Sequence, residues 1–343
     1  MNALRGFVIV AVVLVVIQII LLGFTAVYSG YHHLACPEVD YEERYGEEAW
    51  VVITGGSSGQ GRHFALEFAK RGFNLLLIGS RRSYDVQREL EEAHGGRVEV
   101  RVVLKDFTHA FEDDFFDTIE TAVHNLPKGQ IAFLVNNIGH RVAYRPHHEM
   151  PTSLIRDTIA CGTITQARMT RMLLPYLLNR EKKGLRSGIV FITAQCIHPN
   201  HGIGIAMSND LYLPYLAPYE ASNAFGFFHA NSLHHEYKYD PDSNLDMLIV
   251  TPGAVLTSNT TDLLQGTIGA VQSDVFVANI MRLIGNVQGV WSGSWKQGLA
   301  LWLISIVPPL KPYILHLTGG RIAAGLMLRD QTLKRTMAAP TAN

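Results

Sequence analysis

An excess of charge of one sign is what this chain lacks: 29 lysines and arginines stand against 30 aspartates and glutamates, a net of −1. A nucleic-acid binder needs clustered positive charge, so the balance argues against nucleic acid as a partner. Charged residues of both signs are few, 17%, and 48% of residues are hydrophobic. Ordinary soluble domains carry about 25% charged residues. A disordered chain is excluded, and contact with membrane lipid is expected. Cysteine is scarce too. Cys36, Cys161 and Cys196 lie far apart and form no CxxC, which argues against a disulfide framework and a zinc ribbon. No repeat or low-complexity tract interrupts the 343 residues, a length suited to two domains or to one large α/β domain with attachments.

What is present begins with a long apolar run. Residues 6–28 read GFVIVAVVLVVIQIILLGFTAVY, without a charge and with one amide, Gln18. As a helix this run reaches roughly 34 Å, enough to cross a hydrocarbon core of about 30 Å. It exceeds the usual apolar region of a signal peptide and lacks a clear small-x-small cleavage site. Residues 1–30 therefore read as a single-pass transmembrane anchor, and 31–49 as a polar linker. Arg5 ahead of the run is a weak vote for an inward amino end.

From residue 50 onward, short apolar runs alternate with amphipathic stretches. The strands expected are 50–54, 74–78, 97–104, 131–136, 188–193 and 245–251. The helices expected between them include 63–71, 111–125, 154–178 and 222–237. Several strand runs are apolar throughout, as strands buried on both faces require. Repeated βαβ units indicate an α/β protein with a Rossmann-type doubly wound parallel sheet over about 50–290.

The turn after the first strand reads Thr54-Gly55-Gly56-Ser57-Ser58-Gly59-Gln60-Gly61. The TGxxxGxG spacing, strand before and helix after, lets the backbone approach a pyrophosphate at a helix amino terminus. The second strand ends Ile78-Gly79-Ser80-Arg81-Arg82, with no acid to meet a ribose 2′-hydroxyl. Two arginines suit a 2′-phosphate, so the expected cofactor is NADP(H).

With these segments on the page, the chain resembles the short-chain dehydrogenase/reductase superfamily. Within it, the chain is similar to the membrane-anchored branch of 17β-hydroxysteroid dehydrogenases and very-long-chain 3-oxoacyl-CoA reductases. The segments that carry the resemblance are VITGGSSGQG, AKRGFNLLLI, the pair Asp106-Phe107, LVNNIG at 134–139, RMTRMLLP at 168–175, HHEY at 234–237 and TPGAVLT at 251–257. The resemblance implies that Gly55, Ser57, Ser58, Gly59, Gln60, Arg81, Arg82, Asp106, Asn136, Gly139, Tyr219, Gly253 and Thr257 bind the cofactor. Asp106 would border the adenine and Asn136 the adenosine side. Pro252-Gly253 with Thr257 would meet the nicotinamide end. Gln60 replaces an apolar residue of the family's loop.

The resemblance also implies catalytic groups: a serine after the fifth strand, a tyrosine with a lysine four residues on, and an asparagine on the preceding long helix. The lysine lowers the tyrosine pKa from about 10. Here Tyr219 matches the tyrosine, but Asn223 stands at the lysine position, Ala194 at the serine, and Gly162 (or Cys161) at the asparagine. None of the 13 tyrosines is followed by lysine at the fourth residue. General acid–base help is worth about 10²–10⁴-fold and one oxyanion donor about 10²–10³-fold. Tyr219 is expected to be vestigial, although a phenol that stays protonated does not forbid slow ketone reduction.

Between Thr193 and Tyr219 the chain is longer than the family pattern needs. This segment is expected to cap the pocket or bind another protein. A rival reading gives it His198, His201 or Asn209 as replacement catalysts, or a metal site with His140, His147 and His148. The expected metal is none. Residues 291–343 hold apolar runs too short to span, flanked by Lys311, Arg321 and Arg329 and preceded or entered by Trp291, Trp295 and Trp302, and read as membrane-surface or partner-binding helices.

Together these features point to an NADP(H)-binding, catalytically degenerate, membrane-anchored protein with protein partners in a membrane assembly. The alternative is an active reductase of 3-oxoacyl-CoA or steroid ketones. The resemblance suggests the endoplasmic reticulum, and a non-catalytic subunit would fit the mitochondrial inner membrane as well.

Overall fold

The computed structural model describes residues 2–127, 130–139, 144–180, 184–194, 214–257, 260, 270–298, 325 and 328. Seven parallel strands form one sheet. They are β1 (Trp50–Thr54), β2 (Asn74–Gly79), β3 (Val100–Leu104), β4 (Ile131–Asn136), β5 (Ser187–Ile192), β6 (Leu245–Thr251) and β9 (Gly289–Ser292). Their order is β3-β2-β1-β4-β5-β6-β9. The order reverses between β1 and β4, and a ligand crevice is expected at such a switch, beyond the carboxyl ends of the strands. A second, two-stranded sheet pairs β7 (Val255–Leu256) with β8 (Val271–Gln272).

Helices cover both faces: α3 (Gly59–Lys70), α4 (Ser83–His94), α5 (Asp117–His124), α6 (Thr152–Ile159), α7 (Thr165–Leu178), α8 (Ala217–Lys238) and α9 (Ser273–Leu283). Side-chain alternation splits the core in two. Val51 and Ile53 of β1 pack with Phe64, Phe68 and Phe276 on one face. Trp50 and Val52 pack with Ile119, Leu173 and Phe227 on the other. Every residue of β1, β4 and β6 is buried, which is why their sequences are mainly apolar without alternation, polar only at their ends and at Asp246.

Several boundaries differ from the sequence reading. The third strand starts at Val100, because 95–99 form a turn led by Gly95 in the left-handed region, φ +59. The helix expected over 154–178 is interrupted by a π turn at Ala160–Ile164, where the Thr165 hydroxyl donates to the Ala160 carbonyl at 2.9 Å. The helix expected from 111 begins at Asp117. β9 carries the sheet to Ser292, two residues past the expected domain edge at 290.

The region read as a linker is built into the domain. A short helix, α2 (Tyr41–Tyr45), puts two tyrosines four residues apart on one face, and both are buried. The Tyr41 hydroxyl donates to the Met281 carbonyl at 2.6 Å, and the Tyr45 hydroxyl to Asp246 Oδ2 at 2.8 Å. Acidic neighbours on the outer face make the segment look polar in sequence.

The amino-terminal helix α1 (Asn2–Leu34) contains one stretch, Arg5–Leu34, long and apolar enough to cross a membrane. It continues past residue 30 and its end docks on the domain. The rings of Tyr28 and His32 lie 5.8 and 5.5 Å from Trp291 of β9, and His33 Nε2 lies 3.5 Å from the Ser292 hydroxyl. Of the surface helices expected beyond 298, the described residues include only 325 and 328, both helical and exposed.

Candidate functional site

The glycine turn between β1 and α3 has the shape the sequence calls for. Gly55 and Gly59 sit at φ +70 and +53, where a side chain would be strained. A β-carbon on Gly61 would lie 2.1 Å from the Gly55 carbonyl oxygen, so this position takes glycine alone. Ser58 precedes the first helical residue, and the amide groups of α3 open beyond it. A cradle this tight, with its backbone free of side chains, fits the diphosphate of a dinucleotide.

The neighbouring strand ends complete the crevice. The Ser80 hydroxyl donates to the Ser57 hydroxyl at 3.2 Å, tying the end of β2 to the glycine turn. Arg81 and Arg82 follow, both exposed, with Arg82 immediately ahead of α4. Asp106 is exposed after β3 and accepts from the Thr108 amide at 3.1 Å and hydroxyl at 2.9 Å. Gly139 lies exposed past β4. Gln60 is half-buried, and among the described residues its Oε1 has no hydrogen-bond partner.

Opposite the glycine turn stands the turn after β6. A β-carbon on Gly59 would lie 3.2 Å from Thr257 Cγ2, so Thr257 closes against the cradle. The Thr257 amide donates to the Thr260 hydroxyl at 2.9 Å, and that hydroxyl donates to the Val255 carbonyl at 2.8 Å. Gly253 lies at the start of this turn.

Three amides make contacts that the sequence did not announce, one of them Asn136, which was expected to meet the adenosine side. Asn136 is 2% exposed, and its Nδ2 donates to the Thr170 hydroxyl at 2.9 Å. The next residue, Asn137, reaches the glycine turn, donating from Nδ2 to the Thr54 carbonyl at 3.1 Å. The doubled asparagine was visible, but only strand geometry says which one points at the loop. Gln297, which grips the turn after β6, carried no signal, since it lies 44 residues beyond Gly253.

Of the positions that the resemblance makes catalytic, Tyr219 and Asn223 share one turn of α8, and Gly162 lies against Ser222 of the same turn. Tyr219 lies in the first turn of α8, half-buried. Asn223 follows one turn later, and its Nδ2 donates to the Tyr219 carbonyl at 2.9 Å. The Ser222 hydroxyl donates to the same carbonyl at 2.9 Å. Ala194 is buried, and the adjacent Thr193 hydroxyl is turned away, donating to the Val250 carbonyl at 3.1 Å. Gly162 lies in the π turn with no room for a side chain, because its β-carbon would be 2.8 Å from the Ser222 hydroxyl. Cys161 beside it is buried, and desolvation pushes its thiol up to about 12, which disfavours the thiolate.

Among the described residues, no group of three metal-ligating side chains occurs. His147 and His148 are exposed on a 3₁₀ turn. His140, His198, His201 and Asn209 lie outside the described residues.

The similarities to known proteins run through this same region. Residues 49–267 match the family described as short chain dehydrogenase. The very-long-chain 3-oxoacyl-CoA reductase of Rattus norvegicus is 30% identical over 247 residues, 71% of this chain and 70% of that protein. The 17-beta-hydroxysteroid dehydrogenase type 3 of Homo sapiens is 28% identical over 262 residues, 76% and 75% of the two chains. Among solved structures, one of a 7beta-hydroxysteroid dehydrogenase covers 80% of this chain and 99% of its own, with a TM-score of 0.61 at 18% identity. A short-chain dehydrogenase from Sphingobium yanoikuyae in complex with NADPH covers 75% and 95%, with a TM-score of 0.58 at 20% identity.

Proposed function

The chain belongs to the short chain dehydrogenase family, and from that premise we propose that it is a membrane-anchored, NADP(H)-binding member that has lost its proton relay. In this reading it serves as an accessory or structural subunit of a membrane assembly, in the endoplasmic reticulum or the mitochondrial inner membrane. The observation that carries the reading is Asn223. It occupies the place one helical turn from Tyr219 where the family's chemistry needs an ammonium ion, and its amide is engaged with the Tyr219 carbonyl. A neutral amide supplies no field to lower a phenol pKa.

The nucleotide half of the reading rests on the cradle at Gly55, Gly59 and Gly61 and on Arg81 and Arg82 beside it. Those residues would hold the diphosphate and a 2′-phosphate. Bound NADPH would supply a hydride, and in this chain it would serve mainly to stabilise the fold by mass action. Ala194 offers no hydroxyl to polarise a substrate carbonyl, and Ser222 fills the space at Gly162.

A second reading is favoured by the retained Tyr219 and by the relatives' names: slow NADPH-dependent reduction of a 3-oxoacyl-CoA or a steroid ketone. One assay separates the two. NADPH oxidation with a long 3-oxoacyl-CoA is compared between wild type and Tyr219→Phe, alongside the NADPH-dependent shift in melting temperature. The proposal expects a melting shift of several degrees in both proteins and equal background oxidation. Turnover that falls with Tyr219→Phe would establish the reductase instead. The subunit role is tested by gentle detergent extraction, native gel and mass spectrometry, where migration as a small oligomer counts against it.

A further inference from the structure

The turn after β6 is gripped from a distant part of the chain. The Gly253 amide donates to Gln297 Oε1 at 3.0 Å, and Gln297 Nε2 donates to the Ala254 carbonyl at 3.1 Å. One side-chain amide thus binds two consecutive residues of a turn whose other backbone tie is the Val271 amide donating to the Ala254 carbonyl at 3.1 Å, and it holds the Gly253 side of that turn. Gln297 is only 4% exposed, so these bonds do not compete with water.

Gln297 is itself held firmly. It lies in a helical turn at 295–298, where the Gly298 amide donates to the Ser294 carbonyl at 2.9 Å. The backbone at Gly298 runs so close to β9 that a β-carbon there would lie 2.7 Å from the Ser292 hydroxyl, and 3.8 Å from the Ser29 hydroxyl of α1. Residue 298 thus lies beside β9 and near the inner end of the amino-terminal helix, which itself docks on Trp291 of β9.

The gripped turn leads straight to Thr257, which faces Gly59 across the crevice. Letting residues 252–254 drift would move Thr257 away from the glycine turn at that end alone. The adenosine end, at Arg81, Arg82 and Asp106, hangs on β2 and β3 and is untouched by Gln297.

We infer that Gln297 is a positioning residue for the nicotinamide half of the dinucleotide, acting through the Gly253–Ala254 turn. The inference rests on the nucleotide-binding reading above. Its test uses the full chain in detergent micelles, with Gln297→Leu, which keeps the volume and removes both hydrogen bonds. Each protein is titrated calorimetrically with NADPH and with adenosine 2′,5′-bisphosphate, which carries the adenosine end alone. Two lost hydrogen bonds predict a dissociation constant for NADPH raised about tenfold or more, with the bisphosphate changed by less than about twofold.

Equal weakening of both ligands would show a merely structural tie, and no weakening of either would show no tie at all; both overturn the inference while the nucleotide reading stands. A wild-type protein that binds neither ligand overturns the nucleotide reading and this inference with it. Should Gln297→Leu fail to fold, Gln297→Glu keeps the acceptor for Gly253, loses the donor to Ala254, and is subject to the same comparison.

Discussion

A β-carbon at position 61 would meet the Gly55 carbonyl oxygen at 2.1 Å, a separation no side chain adopts. Gly61→Ala must therefore push apart the two backbones that form the cradle. The expected outcome is loss of the NADPH-induced melting shift, together with a lower melting temperature of the free protein, read by thermal unfolding with and without nucleotide. A second residue sets a pH dependence. Burial holds the imidazole of His234 down at about 4, with His235 and Lys238 adding to the effect. The unfolded chain takes this proton near 6.5, so between about 6.5 and 4 it binds more protons than the folded one. Stability therefore falls as pH drops through that window, and His234→Gln is expected to flatten the fall in melting temperature between pH 7 and 4.5. At this scale the glycine turn was legible, because each glycine answers a backbone demand that spacing alone records. The division of labour between Asn136 and Asn137 was not, since adjacent residues of a strand point oppositely and composition cannot say which faces the loop.

Among elements, the close approach of α7 and α8 and the pinning of α2 each hang on a few groups. Gly162 in the π turn admits Ser222, and an asparagine there would collide with it. Gly162→Asn is expected to cost about 1–3 kcal/mol, and Ser222→Gly is expected to recover much of the loss in a double-mutant cycle read by urea unfolding. The second case is Asp246, 4% exposed at the start of β6. It accepts from Arg44 at 3.0 Å, Arg186 at 2.8 Å, Tyr45 at 2.8 Å and Gln288 at 3.0 Å. One carboxylate thus joins α2, the start of β5 and the approach to β9. Asp246→Ala leaves two arginines facing each other without a counter-ion and is expected to lower stability by about 3–5 kcal/mol, measured by chemical unfolding. Strands and long helices were legible because apolar periodicity states them directly. The π turn was not, since an extra residue per turn leaves the apolar spacing of the flanking helices almost unchanged. Nor was α2, whose two tyrosines sit among acids and sign no period.

Across the whole molecule, the alternation of strand and helix gave away the doubly wound sheet, and Asn223, Ala194 and Gly162 around a retained Tyr219 were legible as departures from the family pattern. What stayed hidden were the side-chain contacts between segments far apart in the chain: Gln297 on Gly253, Tyr45 on Asp246, and α1 on β9. Docking of α1 makes a prediction at this scale. Trp291 takes the rings of Tyr28, His32 and His33, so Trp291→Ala should speed amide hydrogen exchange in the last turn of α1 while the exchange of β1, β4 and β6 stays slow.

The 33 residues of α1 form one uninterrupted rod of about 50 Å, and its far end is clamped rather than hinged. A clamped shaft sets the height and the bearing of whatever it carries. A bilayer holding that shaft would meet the rim built from the turn after β6 at a single aspect, set by the packing of Tyr28, His32 and His33 on Trp291.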